Sequence, residues 1–313
     1  MRIPGLVGSL SFLLLAGCAN LPSIHQPLPT NARADLTTTD VVLPIKQSEV
    51  YVFVPMATGG AGFGLIGALV DAGIDSTRTS KAETAVTPLR NAMVDYSFDN
   101  ALQTELKSSL AEVAWVHPED FKVVRDISDE GLGKTLAESK ASSVLFVVAD
   151  YHLSNDGDVL LATFEVALMP NNDQLKALVP GRRNDKTPVA LINALYRNRF
   201  VFEAHVASTG DRDRNIAEWS ANNAAAARAA LTMAAKKIAP LMVEDMQRAE
   251  NDIAPPADSP QVGVVIPDES TQCIVAPSDA QCGTSAMLLG KDDQGETLRF
   301  KDGSLKYLKT GTF

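Results

Sequence analysis

Apolar residues recur along the chain in two periods, and each period predicts a different element. Runs rich in β-branched and aromatic residues predict four main strands, at 49–55, 142–153, 159–169 and 194–207. A shorter strand is predicted at 121–124. Asp156-Gly157 joins two of the main strands and is typical of a hairpin turn, and Asp302-Gly303 predicts a second hairpin near the C-terminus.

Spacings of three and four predict helices between these strands, at 81–94, from Ser97 onward, at 129–139 and at 216–249. Ser97 is a suitable N-cap for the second helix. Pro88 predicts a kink or break in the first helix, and Pro240 predicts a kink or end in the last. The apolar stripe of the last helix has one polar exception, Asn223.

Together the elements predict an α/β (α+β) fold with a mixed, mostly antiparallel sheet and helices packed against it. A long C-terminal helix and a short β-rich tail complete the expectation. The predicted domain covers 48–252 and contains a Gly-rich helical insertion at 57–75. Residues 253–313 are expected to form a Pro-rich linker and a small disulfide-containing β tail. A hydrophobic content of 45% is sufficient for a sizeable core.

The N-terminus has the pattern of an export signal. Met1-Arg2 precedes a short apolar run, which predicts a signal peptide over 1–17. Leu15-Ala16-Gly17-Cys18 resembles the bacterial lipobox, in which the cysteine receives a diacylglycerol, the chain is cut before it, and the new amine is acylated, commonly with palmitate. Several acyl chains give stable anchoring. The alternative is an ordinary signal peptide with an incidental cysteine.

Residue 19 and the following segment extend this prediction. Ala19, rather than Asp, follows the cysteine, and by analogy with Gram-negative lipoproteins this favours the periplasmic face of the outer membrane. Residues 18–47 carry several prolines without clear periodicity, so we expect a lipidated cysteine followed by a flexible tether.

Net charge and cysteine content limit the functions and bonds that the chain can be expected to have. The net charge of -10 argues against nucleic-acid binding. Cys273 and Cys282 are close in sequence, and in an exported chain they predict a disulfide worth roughly 2–3 kcal/mol. Zinc binding is the alternative, although no histidine or further cysteine pair lies nearby.

A glycine-rich stretch follows the first predicted strand and matches a nucleotide-binding pattern. Gly62, Gly64 and Gly67 fit G-x-G-x-x-G, but Met56–Ala61 separate them from the strand. No second strand ending in an acidic residue follows, as that motif requires. A membrane span is also disfavoured, because the stretch is short, rich in glycine and ends near Asp71.

The same stretch carries small residues at every fourth position, Gly60, Gly64, Ala68 and Ala72. On a helix these share one face, which allows another backbone to approach closely. The neighbour is either the domain's own sheet or a docking partner, a second copy or lipid.

Candidate chemistry is sparse. His152 and His205 lie on predicted strands and Asp150 lies two residues before His152, so pairing of the strands could assemble a His–Asp–His cluster. The alternative is ordinary solvent-facing or hydrogen-bonded strand positions. The hairpin turn Ser154–Asp158 resembles half of a calcium loop but lacks the later glutamate. We expect no cofactor and no bound metal.

The order of elements resembles a group of periplasmic lipoprotein α/β domains. The segments that carry the likeness are "VYVFVP", "LAESKASSVLFVVADY", "VLLATFEVAL", "FVFEAHV" and the long C-terminal helix. Over about residues 48–250 they are similar to the TolB N-terminal domain, the curli-secretion lipoprotein CsgG and LpoB-type activators of peptidoglycan synthases. The glycine-rich insertion and the cysteine-containing tail depart from that pattern, and the four long membrane strands of a CsgG-type pore are missing.

The resemblance implies a non-enzymatic envelope protein, an accessory, assembly or interaction factor. Its expected partners are the membrane, through the acyl chains, and envelope proteins or further copies of itself. The alternatives are a periplasmic hydrolase built on His152, Asp150 and His205, or a carrier with an apolar pocket for a small ligand.

Overall fold

A computed structural model of the chain describes residues 24–45, 47–54, 76–179, 193–248, 261–265 and 283–313. The strands are β1 Thr39–Pro44, β2 Tyr51–Val52, β3 Pro118–Val124, β4 Ser143–Leu153, β5 Val159–Pro170, β6 Tyr196–His205, β7 Gln261–Val265, β8 Gly283–Lys291, β9 Gly295–Arg299 and β10 Leu305–Thr312. The α-helices are α1 Ser76–Ala92, α2 Phe98–Leu110, α3 Asp129–Glu138, α4 Asp173–Lys176 and α5 Arg212–Gln247. A 3-10 helix covers Thr30–Asp35.

All the described strands belong to one mixed sheet, in the order β3-β1-β4-β5-β6-β10-β9-β8-β7, with β2 beside β4. β4, β5 and β6 form an antiparallel meander at its centre. β1 lies parallel to both β3 and β4, and β10 lies parallel to β6. The predicted α/β class is therefore confirmed, as is the N-cap Ser97, which accepts a hydrogen bond from the Asn100 amide. The structure adds a second cap, Ser128, which accepts a hydrogen bond from the Gly131 amide.

Helices cover both faces of the central strands. On one face α5 packs against β5, β6, α1 and α2, and large side chains such as Phe164, Phe200 and Trp219 are fully buried. Burying one such side chain contributes about 1.5–3 kcal/mol. On the other face Leu132 of α3 packs with Val144 and other apolar side chains of β4 and β5. Every position of β4 is buried.

The last helix breaks at a different place from the predicted one. Pro240 lies inside α5, whereas the non-helical backbone is at Ala221–Ala224. There Asn222, Asn223 and Ala224 adopt left-handed φ angles of 51°, 59° and 54°. Asparagine tolerates that conformation better than most residues, which explains why the break falls at the Asn pair. The buried residues on either side of Pro240 stabilise the helix enough to offset the hydrogen bond that proline removes.

The predicted flexible tether at 18–47 is wrong for residues 24–45, which are part of the fold. Leu28 and Ala32 are buried, and β1 inserts between the edge strand β3 and β4. The run Val41–Leu43 is apolar throughout and includes two β-branched valines, as is typical of a strand buried on both faces. The prolines earlier in the segment favour a tether over a strand. The strand predicted at 49–55 is shorter in the structure, where only β2 forms.

The C-terminal strands extend the main sheet instead of forming a separate tail. β10 pairs with β6, and β9 and β8 continue outward from β10. The predicted hairpin at Asp302-Gly303 is confirmed, and Gly303 has φ +88°. A side chain there would place its Cβ 2.3 Å from the Cβ of His25, so this turn closes directly on the N-terminal segment.

Candidate functional site

The second face of the sheet becomes polar beyond the area that α3 covers. Val148 is the last β4 residue in the apolar cluster under α3, and alternation places Asp150 and His152 next on the same face. The register of the meander sets His152 opposite Leu161 of β5 and Leu161 opposite Glu203 of β6. Glu203 and His205 therefore lie on that same face, two strands away from His152.

Asp150, His152 and Tyr51 form a compact hydrogen-bonded group. Asp150 is fully buried, and one of its oxygens lies 2.8 Å from Nδ1 of His152. The Tyr51 hydroxyl donates to the same carboxylate at 3.0–3.1 Å. A carboxylate can only accept, so Nδ1 of His152 carries the proton and Nε2 is an acceptor when the ring is neutral.

That Nε2 atom has no hydrogen-bond partner in the described part of the chain, although it is buried. The rings of Tyr51 and Phe53 lie against the imidazole, with centroids 5.2 Å and 5.6 Å away. An imidazole held by a carboxylate at Nδ1 has the arrangement of a general base or of a metal-ligating histidine. Asp150 and His152 thus have the arrangement of a general base, which is one of the groups that catalysis would require.

His205 belongs to a separate charged group. Its Nε2 lies 2.9 Å from a carboxylate oxygen of Glu203, and Lys306 of β10 forms an ion pair with the other oxygen. Glu203 and Lys306 are both buried. Burial works to raise the pKa of the Glu203 carboxyl, but the bond from His205 and the charge of Lys306 outweigh it, and the pKa lies below its usual range.

The structure thus brings Asp150 and His152 together and places His205 with Glu203. Two strand spacings separate His152 from Glu203, which is about 10 Å, and His205 lies two residues further along β6. Leu161 of β5 stands between the groups. The possible His–Asp–His cluster is therefore replaced by two pairs, each formed by residues two positions apart on one strand.

A third polar group, absent from the sequence-based expectations, lies at the opposite end of β6. Asp245 of α5 accepts hydrogen bonds from Tyr196 and Asn198 at 2.8 Å, and it forms an ion pair with Arg299 at 2.7 Å. Nε2 of His25 lies 3.2 Å from the same carboxylate. All five residues are buried. Burial works to raise the pKa of the Asp245 carboxyl, but the His25 and Arg299 interactions hold it below the usual range.

Asp245 could have been found from the sequence, because it follows Met242 by three residues on the predicted stripe of the last helix. Extending the stripe by one turn would have placed an acid in the core, where it must be paired. Its partner Arg299 could not be predicted from periodicity. Two nitrogens of Arg299, Nε and Nη1, are buried without a hydrogen-bond partner in the described residues.

The same end of the sheet holds the first described residues of the chain. The amide of Ile24 donates to the Asp302 carbonyl at 2.8 Å. Gln26 and Arg197 exchange backbone hydrogen bonds of 2.7 Å and 2.9 Å. The Gln26 side chain also donates to the carbonyl of Leu195, at 3.2 Å. The N-terminal segment is thus bonded to β6 and to the β9–β10 turn.

Two cavities in the described residues are not lined by any residue of the histidine pairs. One, of about 460 Å³, is open and lies between α1 and the start of α5, where Lys81 and Arg212 are among its lining residues. The other, of about 280 Å³, is lined by residues that include Arg90 and Tyr151. Within the described ranges no three His, Cys, Asp or Glu side chains are arranged to hold a metal ion.

Several predicted site residues lie outside the described residues. They are Cys18 of the lipobox, the cysteine pair Cys273 and Cys282, and the small-residue stripe Gly60, Gly64, Ala68 and Ala72 within 57–75.

Comparisons with known proteins identify no family for the chain. No protein-family model matches it, and a search of curated proteins found no match. Among the described residues, none of the helices has the length and apolar character that crossing a membrane would require.

Proposed function

We propose that this protein is a non-enzymatic lipoprotein of the outer membrane that faces the periplasm and acts as an accessory or assembly factor by binding other envelope proteins. The observation that carries the proposal is Leu15-Ala16-Gly17-Cys18 at the end of an apolar export signal. The chain that follows supports it, because the described fold begins at Ile24, only six residues after the proposed lipid site. An acylated Cys18 would therefore hold a folded domain close to the membrane.

Several buried ionisable side chains pair with one another inside the domain, and this supports a binding role. His205 is held by Glu203, and Glu203 in turn neutralises Lys306 on the neighbouring strand. The Glu203–Lys306 ion pair joins β6 to β10. Asp245 likewise joins α5, β6, β9 and the N-terminal segment. These groups have structural partners, and neither cavity is lined by His152 or His205.

A periplasmic hydrolase is the second candidate, and one observation favours it. Asp150 orients His152, and among the described residues Nε2 of His152 has no partner, as a general base requires. A carrier of small ligands has less support, because the larger cavity is open and lined partly by charged side chains, whereas ligand pockets are mostly apolar and enclosed.

One genetic experiment separates the first two candidates. A strain lacking the gene is complemented with the wild type, Cys18→Ser or His152→Gln at equal protein levels, and envelope permeability is measured by uptake of a dye that the intact outer membrane excludes. We expect the wild type and His152→Gln to restore the barrier and Cys18→Ser to fail. Full restoration by Cys18→Ser would contradict the anchored factor, and failure of folded His152→Gln would favour the hydrolase.

A further inference from the structure

The first described residues of the chain are fixed to one end of the sheet. Ile24 and His25 both donate to the Asp302 carbonyl, at 2.8 Å and 3.2 Å, and Gln26 pairs with Arg197. His25 is buried beside Asp245, and Gly303 lets the turn close on its side chain. Ile24–Gln26 therefore cannot detach from this end of the sheet without breaking a buried polar network.

The distance from this end to the proposed lipid site is short. Six residue steps separate Cys18 from Ile24. A fully extended chain spans at most about 3.3–3.6 Å per residue, so the link reaches no further than roughly 20 Å. Any more compact conformation brings the end of the domain nearer to the lipid.

The two ends of the sheet are well separated. β6 begins beside Gln26 and ends at His205, and eight residue steps along a strand correspond to about 27 Å. β4 runs in the same direction, because both strands are antiparallel to β5. His152, His205 and the hairpin turn that contains Asp156 therefore lie at the end opposite to the link.

We infer that the end of the sheet formed by Ile24–Gln26, the start of β6 and the turn at Asp302-Gly303 lies against the lipid headgroups, with the His152 and His205 end directed away from the membrane. This inference rests on the proposed anchor at Cys18. It gives the domain one orientation, in which the surface available to periplasmic partners is the end that carries the Asp150–His152 and Glu203–His205 pairs.

Two exposed positions make the orientation measurable. Lys301 lies on the turn beside the N-terminal segment, and Ser208 follows the end of β6. Full-length acylated protein with Cys273→Ser and Cys282→Ser receives a fluorophore at Lys301→Cys or at Ser208→Cys. It is reconstituted into phosphatidylethanolamine–phosphatidylglycerol vesicles that contain headgroup-nitroxide lipid. We expect loss of fluorescence at position 301 and none at position 208.

A longer link supplies the matched control. A 20-residue Gly/Ser insertion after Leu21 has a root-mean-square span of about 25 Å. It should abolish quenching at position 301 while the protein still floats with the vesicles. Equal quenching at the two positions, or quenching at position 301 that survives the insertion, would overturn the inference.

Mass spectrometry of the N-terminal peptide distinguishes failure of the proposed anchor from failure of the inferred orientation. A chain without acyl groups at Cys18 would refute the proposed anchor and the orientation with it. Acylated, vesicle-bound protein with equal quenching at both positions would refute the orientation alone.

Discussion

The buried carboxylate of Asp245 allows a sharp test of how the two ends of the chain are joined to the domain. Asp245→Asn keeps the size of the side chain and removes its charge. Arg299 would then remain buried without a counter-charge, and His25 would lose its acidic partner. Breaking a buried ion pair from one side typically costs about 3–5 kcal/mol, a large part of the 5–15 kcal/mol that stabilises an ordinary domain.

A neighbouring residue on the same helix provides the control. Glu244 pairs with Arg248 at the exposed surface of α5, and such pairs contribute roughly 0.3–0.5 kcal/mol. We expect urea unfolding to show a loss of several kcal/mol for Asp245→Asn and well under 1 kcal/mol for Glu244→Gln. Equal losses for the two variants would refute the reasoning. The double variant Asp245→Asn/Arg299→Met should recover part of the loss, because it no longer buries an unpaired charge.

The dependence on pH follows from the same group. The pKa of the Asp245 carboxyl is lower in the folded protein than in the unfolded chain. Between the two pKa values the folded state therefore binds fewer protons than the unfolded chain. The stabilisation is fully present above the unfolded pKa near 4, and it is lost as pH falls through the folded pKa. Between pH 5 and pH 3 the wild type should lose more stability than Asp245→Asn does.

Three further predictions concern other parts of the chain. Non-reducing peptide mapping should find Cys273 joined to Cys282, and full reaction of both with a thiol reagent in native protein would exclude the disulfide. Gly64→Leu should cost about 1–3 kcal/mol if the small-residue stripe packs on the domain, or abolish association at unchanged melting temperature if it docks a partner. No change in either property would make the stripe incidental. Asn223→Val places a β-branched residue at φ 59° and should cost about 1–2 kcal/mol. The exposed helical position Ala229→Val should cost roughly 0.5 kcal/mol, and equal losses would argue against the left-handed turn.

Much of the central sheet could be predicted from the sequence because its signals are local. The meander β4–β6 has long apolar runs, and Asp156-Gly157 marks the turn between its first two strands. The helices α2 and α3 have both apolar spacing and a serine N-cap. Such features depend only on residues a few positions apart, so one sequence is sufficient to read them.

The remaining pairings depend on residues distant in sequence. β10 lies beside β6 with Leu305 opposite Phe200, and nothing local specifies this partnership. β1 is not predicted by the sequence patterns because the segment before it contains prolines and lacks clear periodicity, although Val41–Leu43 has the composition of a strand buried on both faces. Tertiary burial decided its conformation more strongly than the proline-rich context.

The same distinction between local and long-range contacts applies to the candidate sites. The proximity of Asp150 and His152 could be predicted, because alternate strand residues share a face. Tyr51 completes that group from a strand about 100 positions earlier, and Lys306 reaches Glu203 from the C-terminal hairpin. These long-range contacts, like Arg299 with Asp245, require the three-dimensional fold.

We propose above all that Cys18 carries the lipid that anchors this protein to the envelope. Cells that express the wild type or Cys18→Ser are grown with labelled palmitate, and the purified proteins and the outer-membrane fractions are compared. We expect the wild type to be labelled and found in the outer membrane, and we expect Cys18→Ser to be unlabelled and released from it. Equal labelling and equal membrane association of the two proteins would contradict the claim.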